Sequence, residues 1–136
     1  MLNGVWPLIK TSMPSRRLYH FTYPDRIEDI IAEGLIYGDV PTGPAGGFNA
    51  VWLTSDKNPV SQGWTMGGAK AKARLTIDIP EEEQEPLRRW LDLAKEAGVE
   101  KWWLEILNAT GGGGQRRWYI YLGIIEPEWI SRWELV

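Results

Sequence analysis

From Lys72 to Ile79 the chain alternates: Ala73, Leu75, Ile77 and Ile79 are apolar, and Lys72, Arg74, Thr76 and Asp78 are polar. A period of two is that of a half-buried strand, because successive side chains leave the backbone on opposite faces. Residues 17–22, RLYHFT, have the aromatic and β-favouring content of another strand, closed by Pro24. The period then lengthens. In DRIEDIIAEGL, Ile27, Ile30 and Ile31 fall on one helical face, Asp25 and Glu28 have capping-box spacing, and Gly34 is placed to stop the helix.

The segment GDVPTGPAGGFN, residues 38–49, has two prolines and four glycines and reads as a long mobile loop, of the kind that borders a site and orders on ligand binding. AVWLT at 50–54 reads as a strand, followed by a short helix or turn through Gln62 and Trp64. EPLRRWLDLAKEAG predicts a helix with Pro86 in its first turn and Leu87, Trp90, Leu91 and Ala94 on its buried face. The acidic run before it, Glu81 to Glu85, reads as the solvated start of that helix. VEKWWLEILNAT predicts a further helix, and the four glycines at 111–114 a flexible link, since no Lys-Ser/Thr pair follows them as in a phosphate loop. RRWYIYLG at 116–123 and SRWELV at 131–136 read as strands, with Pro127 between them. Five or six short strands with three or four helices, not in regular βαβ order, predict an α+β fold. A chain of 136 residues is expected to form one domain, with residues 1–15 as an irregular N-terminal segment.

Composition narrows the chemistry. There is no cysteine and one histidine, His20, which removes thiolate nucleophiles, Cys-built zinc sites and His-rich metal sites. The formal net charge of −3 gives no general attraction for phosphate backbones. Nine tryptophans can build a dense core from few positions, but each indole N–H needs a partner, so some are expected to line a groove. Apolar runs are short, so no membrane association is expected, and a cytoplasmic protein is the default.

The string LYHFT, the helix I-x-x-I-I-x-x-G-L, the glycine-rich loop and VWLTSD together resemble the opening half of the ADP-ribosyltransferase superfamily, in its H-Y-E class. The same layout resembles a group of short, uncharacterised bacterial proteins. The resemblance implies a split β-sheet core with three to four helices, and NAD as a substrate. It implies that His20 holds the nicotinamide ribose, and that Thr22, with main-chain groups around Phe21 and Tyr23, holds the carboxamide. Ser61 and Trp64 have the spacing of the family's serine and ring-stacking tyrosine, with tryptophan in the tyrosine's place. The family's glutamate, at the start of a late strand, falls on Arg117 in this chain, beside Gln115 and Arg116. Glu105, inside WWLEIL, is then the alternative acid.

Three functions follow from the resemblance. The first is transfer of ADP-ribose from NAD to a protein, a nucleic acid or water. The second is an RNA 2′-phosphotransferase-like enzyme, whose family uses arginines where others use the glutamate; Arg117 suits its last arginine, but Tyr19 stands where that family has an arginine. The third is a non-catalytic nucleotide- or protein-binding module on the same fold. Bland readings stand beside these: a core role for His20 and Trp64, a solvated helix face for Glu105, and a strand-mouth position for Arg116 and Arg117.

Overall fold

The computed structural model describes residues 15–36, 38–58, 72–110 and 112–136. Its elements are β1 (Arg16–Thr22), α1 (Ile27–Glu33), β2 (Asp39–Pro41), β3 (Gly47–Asn49), β4 (Val51–Thr54), β5 (Ala73–Ile79), β6 (Leu87–Arg89), α2 (Trp90–Glu96), α3 (Lys101–Thr110), β7 (Trp118–Tyr121) and β8 (Ile130–Leu135). Six strands form one antiparallel sheet in the order β6-β7-β4-β1-β5-β8, and β2 and β3 form a separate hairpin. With three α-helices among the described residues, this is an α+β fold. No helix among them is long and apolar enough to cross a membrane.

Alternation along the strands gives the sheet two buried faces. On one, Leu18, Leu53, Leu75 and Ile77 pack with Ile27 and Ile30 of α1 and with Leu35 and Ile125. On the other, Trp118 and Ile120 pack with Val40, Trp90 and Ala94. Burying each such side chain contributes about 1.5–3 kcal/mol. The second face is built from indoles: Trp52 meets Trp90 and Trp118 edge-on, at centroid distances of 5.2 and 5.6 Å. Two of these N–H groups have defined acceptors, Trp52 on the Asp39 carbonyl at 2.7 Å and Trp90 on Gln115 Oε1 at 2.9 Å.

Helix α1 stops as expected at Gly34, whose φ of 86° favours glycine. A Cβ there would also lie 2.2 Å from the Ile125 carbonyl oxygen, where Leu35 and Ile125 exchange main-chain hydrogen bonds.

Several boundaries differ from the sequence reading. Residues 38–49 are not a plain loop but hold the β2–β3 hairpin, because Val40 is fully buried against the tryptophan face and anchors a segment that its glycines alone would leave loose. The Asp25/Glu28 capping box does not form: Pro24–Arg26 make a 3₁₀ turn and α1 begins at Ile27 without a side-chain cap. Ile31 faces solvent. Leu87 lies in a strand, since pairing with Tyr121 places it on the core; the helix starts at Trp90, and Glu81–Glu83 form their own exposed 3₁₀ turn. Gln115–Arg117 are likewise a 3₁₀ turn, so the late strand begins at Trp118.

Candidate functional site

The two edges of β1 are unlike. Towards β5 all seven residues pair, from Arg16 with Ile79 to Thr22 with Ala73. Towards β4 there is one pair, Tyr19 with Thr54. On its other edge β4 is fully paired, all four of its residues with β7, so the sheet continues past this gap. The start of β4 is also tied to the hairpin, through Ala50 N–H on the Gly38 carbonyl at 3.1 Å and the Trp52 indole on Asp39. Gly38 allows this approach, since a Cβ there would sit 2.1 Å from the Ala50 carbonyl oxygen. From His20 onward the sheet is therefore split.

His20 spans that split. Its Nδ1 lies 2.8 Å from the Trp52 carbonyl oxygen. A carbonyl only accepts, so Nδ1 carries the proton, and in neutral imidazole Nε2 is then an acceptor. The side chain thus supplies a cross-strand hydrogen bond where the main-chain ladder has stopped.

A cavity of about 890 Å³ opens at the split. His20, Phe21, Thr22 and Tyr23 line it together; Thr22 is buried and Tyr23 exposed at its rim. Arg26, Asp29 and Glu33 come from α1 and its preceding turn, and Asp39, Pro41 and Phe48 from the hairpin, with Trp52 and Leu53 from β4. The volume lies in the range of ligand pockets, about 300–1,000 Å³. Among the described residues its lining carries three carboxylates, Asp29, Glu33 and Asp39, against one guanidinium, Arg26. Among the described residues no group of His, Asp and Glu is arranged to hold a metal ion.

The other residues singled out in the sequence lie elsewhere. Ser61 and Trp64 are outside the described residues. Glu105 is exposed on α3 and does not line the cavity, whereas Leu107 of the same helix does. Arg117 forms an ion pair with Asp56 at 3.0 Å, in a separate cleft of about 480 Å³ shared with Tyr19, Ser55 and Lys57. Sequence reasoning missed Arg26, Asp29 and Glu33, although their i, i+3, i+7 spacing marks one helical stripe. Segment 38–49, expected to border a site, does line the cavity through Asp39, Pro41 and Phe48, although none of these residues was singled out, and Trp52 of β4 was missed.

No protein-family model matches the chain, and neither the curated proteins nor the solved structures provide a match to it.

Proposed function

We propose that the cavity at the split binds NAD, and that the protein is an ADP-ribosyltransferase-like enzyme acting on a macromolecular acceptor or water. The observation that carries this reading is the placement of His20 and Thr22 together on the wall of one open split in the sheet, with the imidazole fixed by the Trp52 carbonyl. In this reading the nicotinamide ribose lies against His20 and the carboxamide against Thr22 and the neighbouring main chain. Arg26 suits the pyrophosphate, since a guanidinium fork pairs with phosphate oxygens.

The reaction breaks the bond between the ribose anomeric carbon and the nicotinamide nitrogen. The bonding pair leaves with nicotinamide, which becomes neutral, and positive charge develops on the ribose. An acceptor hydroxyl or water then bonds to that carbon and releases its proton. A carboxylate near the ribose stabilises the developing charge. Asp29, Glu33 and Asp39 line the cavity and are drawn into that role ahead of Glu105, which does not.

One observation favours the non-catalytic binding module as the second reading. The residue preceding β7 is an arginine already paired with Asp56, not an acid. The same pair lends no support to the 2′-phosphotransferase-like reading, which needs a guanidinium at the substrate.

The test is calorimetric titration with NAD beside chromatographic measurement of nicotinamide release, for wild type and His20→Ala. Binding and release that both fall in the variant support the enzyme. Binding without release selects the module. No binding by the wild type removes both NAD readings.

A further inference from the structure

Arg-Arg occurs three times in the chain, at 16–17, 88–89 and 116–117. The first pair opens β1, the second closes β6, and the third lies in the turn before β7. Strands β6 and β1 are separated in the sheet by β7 and β4, yet one arginine from each of the first two pairs meets a single side chain, Tyr119. Arg16 Nη2 donates to the Tyr119 phenol oxygen at 2.5 Å, and its guanidinium carbon stands 5.0 Å from the ring centroid. The Arg89 guanidinium carbon stands 5.9 Å from the same centroid, and Arg89 Nη2 donates to the Arg116 carbonyl at 3.4 Å.

Within each pair the two arginines differ. Arg17 is paired with Asp78, Arg88 with Glu96 and Arg117 with Asp56. Their neighbours Arg16, Arg89 and Arg116 are in no ion pair among the described residues. Two of these cations, Arg16 and Arg89, in no ion pair among the described residues, are therefore collected at Tyr119 beside the Arg116 main chain, in a chain whose net charge is negative. Like charges gathered at one ring repel, and an anion shared by both offsets that repulsion.

We infer that Arg16, Arg89 and Tyr119 form a phosphate-recognition site, with Arg116 at its edge. Guanidinium forks match the oxygens of a phosphate group bidentately. A phenol that accepts from Arg16 keeps its O–H to donate, which adds another donor to the same oxyanion. The ligand is a phosphate group, carried either on a nucleic-acid strand or free as pyrophosphate. The site is separate from the NAD reading, since none of the three residues lines the large cavity. It is also next to that cavity: Leu53, which does line it, is the strand partner of Tyr119.

The test uses the whole chain, a fluorescently labelled short single-stranded RNA, and pyrophosphate as competitor, followed by anisotropy at low and at moderate salt. Wild type binds, and Arg16→Gln and Arg89→Gln each weaken binding about tenfold and lower the slope of log affinity against log salt by about one. Arg89→Lys, which keeps the charge and loses the fork, is also weaker than wild type. Arg132→Gln, on the far edge strand, leaves binding unchanged. Full displacement by pyrophosphate assigns the site to free phosphates, and resistance to it assigns the site to a strand. The inference is overturned if wild type binds neither probe at low salt, or if Arg132→Gln weakens binding as much as Arg16→Gln does.

Discussion

Strand β1 presents one edge that is closed and one that is open. Its β5 side is a complete seven-residue ladder, backed by Leu18, Leu75 and Ile77 at full burial. Its β4 side has a single rung, and beyond it an imidazole reaches across to a carbonyl. The difference separates two tasks within one strand. The closed edge holds the fold, and the open edge leaves side chains and main chain facing a cavity. A buried main-chain group must be satisfied by something, and for the Trp52 carbonyl of β4 that something is the His20 side chain, which can be changed without unzipping the sheet.

The largest effect expected from this contrast is on stability. Leu75→Ala, on the closed side, should cost about 2–5 kcal/mol in urea denaturation, through lost burial and the void it leaves. His20→Ala, on the open side, should cost about 1 kcal/mol, the worth of one hydrogen bond. Equal costs would break the comparison, because the imidazole would then be as structural as the core.

Next in size is Gly38→Ala. Its Cβ would meet the Ala50 carbonyl, so the hairpin or the start of β4 must shift. A stability loss of about 1–3 kcal/mol is expected, of the size of other overpacking changes. NAD affinity should fall with it in calorimetry, since Asp39 and Phe48 would move with the hairpin. Unchanged affinity would show that the hairpin is not a wall of the site.

Thr22→Val is nearly isosteric and keeps Thr22's place on the open edge. Its expected effect is on binding more than on folding: about two- to tenfold weaker NAD affinity, the range of one hydrogen bond.

The smallest effect is electrostatic and lies on the closed edge. The Arg17 guanidinium hydrogen-bonded to Asp78, with the Ser131 hydroxyl adding to it, holds the Asp78 carboxyl below its usual range. A depressed carboxylate contributes stability above its unfolded pKa, and that contribution is lost as pH falls through the folded value. Thermal melting across acidic pH should therefore show a small decline that Asp78→Asn reduces. The pair is exposed, and solvent screens it.

How much of this was legible in the sequence follows from what each signal depends on. The alternation of Ala73 to Ile79 and the aromatic run at His20 are local, and both strands lie where the pattern places them. Gly34 is local too. The hairpin at 39–49 was not legible, because its order comes from Val40 meeting Trp90 and Trp118, residues far along the chain. Leu87 was read as helical for a similar reason: its helical spacing with Trp90 and Leu91 is genuine, and pairing with Tyr121 overrides it. At the site, His20 and Thr22 stood out only through the resemblance that LYHFT carries, and the strand they share brings both to the cavity. Asp29 and Glu33 were hidden by their resemblance to any solvated helix face, and Arg117 gave no hint of Asp56, sixty-one residues away.

The central claim is that the open edge of β1 is where NAD binds, and the most direct measurement is an NMR titration of the backbone amides with NAD. The account predicts saturable shifts at His20, Phe21 and Thr22 and across the split at Trp52 and Leu53, with Leu75 and Ile77 on the closed edge left in place. Shifts confined to other parts of the chain, or no saturable shift at His20 and Trp52, would contradict it.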